Sequence, residues 1–354
     1  MTQSAQTTAA PQVPAATQPI LSVRDLRVYF EIRAAEGWLT KSQTLRAVDG
    51  VTFDLFPGET LGVVGESGCG KSTMARAVLG LVPVTSGEVI FDGKNLAQLD
   101  SSAMRAERQH LQIIFQDPLA SLDPRMTVGQ IIGEPLRSFF PRMSASERQA
   151  KVAEMMGHVG LLPEQINRYP HEFSGGQAQR IGIARALILR PEVVICDEPV
   201  SALDVSIKAQ ILNLLSDLQA RFGLSLLFIA HDLASVRHAS RRVMVLYLGK
   251  VMELAPWQEI YRTPLHPYTQ ALIAAIPPAD PRRARSNPAK PLAGELPSPI
   301  APPSGCVFRT RCPYAIDRCA AEVPALRHVG ESLVACHLAE QSQESRPKPS
   351  PTNS

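Results

Sequence analysis

The sequence predicts an α/β protein with a mostly parallel central sheet. Short apolar runs of strand length alternate with amphipathic helical stretches, and a glycine-rich turn joins one such run to a helix. The composition agrees, because 45% hydrophobic and 19% charged residues among 354 exclude wholesale disorder. A net charge of +3 gives no argument for nucleic acid or an anionic membrane as the main partner.

The first half of the chain is predicted to begin with antiparallel strands. Residues 20–56 alternate between apolar and polar side chains, which is typical of strands with one solvated face. A densely apolar strand at Glu59–Val64 leads into the glycine-rich turn, and Lys71–Leu81 has helical spacing. The stretch from about residue 120 to 190 is predicted to be mostly helical.

The second half supplies the remaining buried strands. Val193–Cys196 and Leu224–Ala230 are apolar on both faces, as expected of parallel strands, with an amphipathic helix at Ala209–Phe222 between them. Val243–Val251 predicts one further strand. Prolines then become frequent between residues 277 and 303, and such a segment holds neither a helix nor a central strand.

These patterns divide the chain into four parts. We expect a disordered leader (1–18), a main domain (19–262) with a helical subdomain at about 120–190, a Pro- and Cys-rich extension (263–340), and a disordered tail (341–354). No apolar run approaches the roughly 18 residues that a membrane-spanning helix needs. Residues 1–18 have neither the basic start nor the apolar stretch of a secretory signal, so we expect a cytoplasmic protein whose cysteines form no structural disulfides.

The glycine-rich turn has the pattern of a phosphate-binding loop. GESGCGKS at Gly65–Ser72 has two glycines separated by four residues and followed by Lys and Ser, and it lies between a strand and a helix. Its backbone N–H groups would converge on the nucleotide phosphates, Lys71 would neutralise their oxygens, and Ser72 would ligate Mg²⁺. The expected nucleotide contacts are Gly65, Ser67, Gly68, Cys69, Gly70, Lys71, Ser72 and Thr73.

Two further motifs point to the same chemistry. The strand VVICDE ends in Asp197, which is placed to hold the Mg²⁺ shell, and Glu198, which is placed to polarise the attacking water. In isolation such a pair could equally be a solvated strand end. The SGGQ turn at Ser174–Gln177 immediately precedes a helix, so its N–H groups and the helix dipole would face an anion.

Taken in order, these motifs resemble those of the ATP-binding subunits of ABC transporters. The series is completed by Gln116 in FQDP, Ser201–Asp204 (SALD) and His231, and it covers about residues 20–260. The resemblance implies an ABC-type P-loop NTPase cassette with a parallel-sheet core, an antiparallel β subdomain and a helical subdomain. It also implies hydrolysis of ATP to ADP and phosphate.

The resemblance assigns a role to individual positions. It implies Glu198, His231 and Gln116 as catalytic residues, Mg²⁺ held through Ser72, Gln116 and Asp197, and contacts in trans to ATP on an opposite subunit from Ser174, Gly175, Gly176, Gln177 and Asp204. Phe30, in preference to Tyr29, would stack on adenine, although a strand aromatic can simply belong to the core.

The extension narrows the resemblance to one branch. HPYT (266–269), GELPSP (294–299) and GCVFRTRCP (305–313) are similar to segments of the ATPase subunits of oligopeptide and dipeptide importers, a branch that includes nickel and other small-solute importers. The long entry between Phe30 and Ala47 favours the second of the two ATPases of such importers. This implies a heterodimer with a paralogous ATPase, two permease chains, indirectly a solute-binding protein, no nucleic acid, and a peripheral position on the cytoplasmic face of the inner membrane.

Four of the six cysteines crowd into the extension. Cys306, Cys312, Cys319 and Cys336 could supply four thiolates to Zn²⁺ or to a [4Fe–4S] cluster. Zinc sites usually contain pairs of cysteines closer together in the sequence, so the wide spacing, Pro313 and the resemblance favour an iron–sulfur cluster. A zinc site, or reduced thiols without a metal, stay open as alternatives.

Two alternative functions remain at this point. One is a soluble ABC ATPase that remodels a non-transport complex, of the phosphonate-lyase-associated type, and the other is an importer of nickel or another small solute. The cysteine-bearing extension argues against the soluble type, because such relatives tend to end near the cassette.

Overall fold

Two β-sheets organise the protein, which we describe from a computed structural model over residues 18–34, 41–276 and 294–344. The architecture is the predicted α/β fold. Most of the expected leader and the last ten residues of the expected tail, 345–354, lie outside the described residues.

The smaller sheet is antiparallel, as the alternating pattern predicts. It has four strands in the order β2-β1-β4-β5: β1 (Leu21–Ala34), β2 (Lys41–Leu55), β4 (Ser86–Phe91) and β5 (Lys94–Asn95). Leu21 and Val23 are fully buried, and so are Leu26 and Val28 after a register shift in β1. One face of this sheet therefore covers the core while the other is solvated.

The larger sheet has eight strands in the order β11-β12-β10-β9-β3-β8-β7-β6. Its members are β3 (Thr60–Val64), β6 (Leu111–Ile114), β7 (Val193–Asp197), β8 (Ser225–Ala230), β9 (Arg242–Tyr247), β10 (Lys250–Pro256), β11 (Arg327–Val329) and β12 (Ser332–Val334). The pairs from β9 through β6 are parallel. Every residue of β3, β7 and β8 is buried, which explains their continuous apolar sequences.

The single strand predicted over Val243–Val251 is instead a hairpin of β9 and β10. Tyr247 pairs with Lys250, and Leu248 and Gly249 form the tight turn between them with φ of 45° and 73°. Two successive positive φ values are the geometry of a two-residue hairpin turn. The prediction was wrong because leucine rarely adopts this conformation, so the sequence carries no conventional turn signal.

Helices cover the sheet and form the helical subdomain. They are α1 (Lys71–Val78), α2 (Ser101–Glu107), α3 (Val128–Phe139), α4 (Ala145–His158), α5 (Gly175–Leu187), α6 (Val205–Phe222), α7 (Leu233–Ala239), α8 (Trp257–Arg262), α9 (Pro267–Ala274), α10 (Asp317–Ala321) and α11 (Ala339–Glu344). Capping boxes begin α3, α4 and α5 at Thr127, Ser144 and Ser174. A side-chain cap contributes about 1 kcal/mol. Helix α11 includes the first four residues of the tail that the sequence predicts to be disordered.

The extension joins the main sheet rather than forming a separate body. Strand β12 pairs antiparallel with β10, and the aromatic side chains of Tyr247, Tyr268 and Phe308 pack together with ring centroids 4.8 to 5.3 Å apart. All three are almost completely buried. The extension and the cassette therefore share one apolar core.

No helix in the described ranges has the length and apolar character needed to cross a membrane.

Candidate functional site

The phosphate-binding pattern forms a closed loop between β3 and α1. Lys71 is buried, and its Nζ donates hydrogen bonds to the carbonyl oxygens of Gly65, at 2.9 Å, and Glu66, at 3.1 Å. The chain thus curls around the ammonium group at the N-terminal, positive end of α1. The positive charge of Lys71 is held in place before any phosphate arrives.

Two glycines of this loop are required by close backbone approaches. A Cβ at Gly70, whose φ is 101°, would lie 2.1 Å from the carbonyl oxygen of Ala47, and one at Gly65 would lie 2.2 Å from that of Leu246. No side chain fits at such distances. The loop is therefore packed against β2 and against the end of β9.

The two acids lie where the sequence places them, at the end of β7. Asp197 is almost completely buried and accepts a 2.8 Å hydrogen bond from the hydroxyl of Ser72. Burial raises the pKa of Asp197, against the lowering effect of that hydrogen bond. Glu198 has a φ of 48°, and its N–H donates to the carbonyl oxygen of Ile229 at 3.0 Å. A non-glycine residue held in this region costs about 1–3 kcal/mol and is often found at functional sites.

Three polar side chains converge on the carboxylate of Glu198. Gln116 Nε2 donates to Oε2 at 3.0 Å, His231 Nδ1 lies 3.8 Å from the same oxygen, and Lys71 Nζ lies 3.9 Å from Oε1. These residues come from four different segments, which follow β3, β6, β7 and β8. The carboxyl ends of parallel strands meet at one edge of a sheet, and this is where such folds bind ligands.

A cavity of 260 Å³ opens beside this carboxylate. It is lined by Leu45, Ala47, Ser67, Gly68, Gly70, Lys71, Ser72, Thr73, Gln116, Glu198 and Pro299. Phe30, the expected adenine contact, is not among these residues and packs against the apolar core instead. Tyr29 is not there either, and its hydroxyl donates to Asp49. Leu45 and Pro299 do line the cavity, and neither was predicted from the sequence to lie at the nucleotide site.

The SGGQ turn does not line this cavity. Ser174 is exposed, and it caps α5 through the reciprocal capping box with Gln177. A Cβ on Gly176 would lie 2.6 Å from Cγ2 of Ile207, so α6 packs closely on the start of α5. Asp204 and Val205 at the start of α6 are exposed, Val205 to 84%. In the second set of expected contacts Ser174 and Asp204 are exposed and the other three residues are half-buried, and all five lie apart from the cavity of the same chain.

The four cysteines of the extension lie close enough for their charges to interact. Burial raises the pKa of Cys336 to about 11, and the thiols of Cys306, Cys312 and Cys319 contribute further in the same direction. The N–H of Cys306 donates to the carbonyl oxygen of Cys319 at 2.8 Å. All four are free thiols. Across the part of the chain that the structure describes, however, no group of three or more His, Cys, Asp or Glu side chains is arranged to hold a metal ion.

The extension also contacts the phosphate-binding loop, which the sequence reasoning missed. Arg311 Nη1 lies 3.0 and 2.9 Å from the two carboxylate oxygens of Glu66. The N–H of Glu66 donates to the hydroxyl of Tyr268 at 3.1 Å. Arg311 and Tyr268 belong to segments that were noted only for their similarity to importer ATPases. Nothing in the sequence around them indicates a contact with Glu66.

The fold and the site together define an ATP-binding cassette. Residues 48–201 match the ABC transporter family, and the chain belongs to the ATP-binding subunits of ABC transporters, which hydrolyse ATP to drive transport. Residues 252–319 match the oligopeptide/dipeptide transporter C-terminal region, which places the chain in that branch of the family.

Curated relatives agree over nearly the whole chain. The chain is 59% identical to the oligopeptide transport ATP-binding protein OppF of Escherichia coli (strain K12) over 318 residues, which is 90% of this chain and 95% of that protein. It is 58% identical to OppF of Salmonella typhimurium, again over 90% of this chain and 95% of that protein. These relatives do not favour the alternative of a soluble remodelling ATPase.

Solved structures share the cassette fold. The ATP-binding cassette MJ0796, in a dimeric post-hydrolysis state bound to ADP and phosphate, is 28% identical with a TM-score of 0.60, and the match covers 67% of this chain and 98% of that one. CbiO1 of Clostridium perfringens, part of the transporter complex cbiONQ, is 25% identical with a TM-score of 0.59, over 69% of this chain and 91% of that one.

Proposed function

We propose that this chain is an energy-coupling ATPase of an oligopeptide importer, and that Glu198 is the general base for ATP hydrolysis. The convergence of Gln116, His231 and Lys71 on the Glu198 carboxylate is the observation that carries the proposal. A carboxylate held this way can accept a proton from a water molecule directed at the γ-phosphate. Such general-base catalysis raises the rate of hydrolysis by roughly 10²–10⁴-fold.

The residues around this carboxylate bind the phosphates, orient the attacking water and hold Mg²⁺. Lys71 and the N–H groups of the loop bind the β- and γ-phosphates, and Gln116 and His231 orient the attacking water and the terminal phosphate. The hydroxyl of Ser72 and the carboxylate of Asp197, 2.8 Å apart, are oxygen donors of the kind that Mg²⁺ prefers, with Gln116 as a third. Bound Mg²⁺ would neutralise charge on the phosphate oxygens.

We further propose that hydrolysis requires two cassettes. Ser174, Gly175, Gly176, Gln177 and Asp204 lie on exposed elements apart from the cavity of their own chain, which suits contacts in trans to a nucleotide on an opposing subunit. The dimeric state of the related cassette MJ0796 supports this arrangement. ATP would hold the two cassettes together, and loss of phosphate would release them.

The cargo is assigned from the named relatives and the partner from the sequence resemblance. OppF proteins are oligopeptide transport ATP-binding proteins, so we assign oligopeptides as cargo. The resemblance to the second of two importer ATPases supports a paralogous ATPase as the second cassette. Two permease chains would form the membrane channel, with a solute-binding protein delivering the peptide. The chain would then lie peripherally on the cytoplasmic face of the inner membrane.

Reconstitution tests this assignment. The chain, its paralogous ATPase and the two permeases are placed in liposomes with the solute-binding protein on the opposite side, and uptake of a labelled hexapeptide is measured with ATP on the cassette side. We expect peptide uptake that ceases with Glu198→Gln and continues with Glu192→Gln, an exposed acid just before the same strand. Transport of nickel but not of peptide would overturn the cargo, and full uptake with Glu198→Gln would overturn the general base.

For the extension, we propose that Cys306, Cys312, Cys319 and Cys336 bind an iron–sulfur cluster. A mononuclear zinc site needs all its sulfurs within about 2.3 Å of one ion, whereas a four-iron cluster takes one thiolate at each of its corners. The proposal rests on four thiols that influence one another's charge and on their wide spacing in the sequence, which lacks the tight pairs usual at zinc sites. Since transport needs no electron transfer, the cluster would have a structural role.

Metal analysis of protein purified without oxygen tests the cluster. We expect about four iron atoms and four sulfides per chain, lost together in Cys312→Ser and retained in the control Cys196→Ser. Cys196 is a buried thiol of β7, outside the extension. Stoichiometric zinc without iron, or no metal at all, would refute the cluster.

A further inference from the structure

The phosphate-binding loop carries an acid next to Ser67, the first loop residue that lines the 260 Å³ cavity. Glu66 directly follows Gly65, and its backbone carbonyl accepts a hydrogen bond from the buried Lys71. Arg311 of the extension donates hydrogen bonds from Nη1 to the two carboxylate oxygens of Glu66, at 3.0 and 2.9 Å. The side chain of Arg311 is only 7% exposed and that of Glu66 is 28% exposed.

We propose that Arg311 is a positioning residue for ATP, which neutralises Glu66 and fixes the phosphate-binding loop, so that nucleotide affinity depends on the folded extension. The inference rests on the ATP site of the proposed function. It gives the extension a role in ATP binding that is independent of the proposed iron–sulfur cluster.

The charge argument comes first. A carboxylate beside a site for a polyanion repels it, and partial burial strengthens that repulsion by lowering the local dielectric constant. The guanidinium of Arg311 pairs with both oxygens of Glu66, which cancels the negative charge at that point. Without Arg311, the loop would present an unpaired anion to the incoming phosphates.

The extension also holds the backbone of the same residue. Tyr268 accepts the N–H of Glu66, and the ring of Tyr268 packs against Tyr247 and Phe308. Arg311 in turn is fixed by its own backbone, whose N–H donates to the carbonyl oxygen of Phe308 at 3.0 Å. A rigid aromatic support therefore lies behind both contacts. A loop held in advance loses less conformational entropy when it binds phosphate.

The test uses the full chain with its paralogous partner and measures the dissociation constant for ATP together with KM and kcat. For Arg311→Met we expect the dissociation constant and KM to rise about tenfold, since a hydrogen-bonded charge is left without its partner. The kcat at saturating ATP should stay close to that of the wild type. The difference in affinity should shrink at high salt, because the repulsion is electrostatic.

Matched variants separate charge from structure. Glu66→Gln in the Arg311→Met background should restore affinity, because it removes the uncompensated charge while the backbone contacts of residue 66 remain. Arg311→Lys should keep most of the affinity, and it serves as the folded variant should Arg311→Met prove unstable. Arg309→Met is the control, because Arg309 lies on the same loop but contacts Ser304.

The outcomes distinguish this inference from the proposed site. The role of Arg311 would be overturned if Arg311→Met bound ATP with wild-type affinity, or if adding Glu66→Gln did not restore the affinity. It would also be overturned if Arg311→Lys and Arg311→Met lost ATP affinity to the same extent. Lys71→Ala tests the site itself, since it should abolish ATP binding. If Lys71→Ala binds ATP normally, the proposed site fails, whereas loss of binding there with no effect of Arg311→Met refutes this inference alone.

Discussion

The side-chain amide of Gln116 donates a 3.0 Å hydrogen bond to the carboxylate of Glu198, although 82 residues separate them in the chain. The contact arises because β6 and β7 are parallel neighbours, so the residues that follow them emerge at the same edge of the sheet. The helical subdomain begins beyond Gln116.

The first prediction concerns this carboxylate. Glu198→Gln keeps the size of the side chain and its capacity to hydrogen-bond, but it cannot take up a proton from water. We expect ATP binding to persist and turnover to fall by about 100-fold or more, with a closed dimer accumulating in ATP. Steady-state phosphate release and sedimentation velocity with ATP measure the two effects.

The control for this variant is Glu192→Gln, which alters an exposed acid paired with His110 on the surface. It should leave both turnover and association unchanged. Hydrolysis at the wild-type rate in Glu198→Gln would remove Glu198 from the role of base.

A second prediction tests the close approach of the phosphate-binding loop to β2. Gly70→Ala would place a methyl group 2.1 Å from the carbonyl oxygen of Ala47, at a φ of 101°. We expect the free energy of unfolding to fall by roughly 2–4 kcal/mol and ATP affinity to fall as the loop is displaced. Urea denaturation and nucleotide titration provide the two measurements.

Gly58→Ala is the matched control, since Gly58 also has a positive φ, 68°, but no neighbour within 4 Å of the added Cβ. It should cost about 1 kcal/mol from the backbone alone and leave ATP affinity unchanged. Equal losses of stability in both variants would show that the steric contact with Ala47 has no effect.

A third prediction follows from the buried histidine at the start of α9. Burial lowers the pKa of His266 to about 3, against 6.5 for a solvated imidazole. Between these values the unfolded chain binds a proton that the native state does not. The contribution of this group to stability is therefore fully present above pH 6.5 and is lost, at up to roughly 1.4 kcal/mol per pH unit, as the pH falls toward 3.

The measurement is the free energy of unfolding between pH 4 and 7. His266→Asn should flatten the part of the slope due to this group, whereas the exposed His328→Gln should leave the slope unchanged. An identical pH dependence for wild type and His266→Asn would contradict the prediction.

The parallel strands could be predicted because continuous burial leaves continuous apolar sequence. The loop around Lys71 and the acids at the end of β7 were likewise visible, since short fixed spacings encode them. Contacts that join distant segments leave no such trace. Glu66 and Arg311 are 245 positions apart, and no feature of the sequence pairs them; the same applies to Pro299 at the cavity.

The last prediction tests the exposed SGGQ turn as a contact in trans. Ser174→Arg places a long cation on this surface without touching the cavity of its own chain. We expect each cassette to bind ATP with near wild-type affinity but to lose turnover, and the double variant with Glu198→Gln to remain dissociated in ATP. Nucleotide titration and sedimentation velocity separate the two steps.

Ser144→Arg provides a closely matched control. Ser144 is also an exposed serine that begins a helix through a capping box, so the loss of the cap, about 1 kcal/mol, is shared by both variants. Only Ser174 belongs to the proposed interface, and therefore only Ser174→Arg should abolish hydrolysis. Full turnover in Ser174→Arg would mean that the nucleotide is hydrolysed without this turn, and the two-cassette arrangement would have to be abandoned.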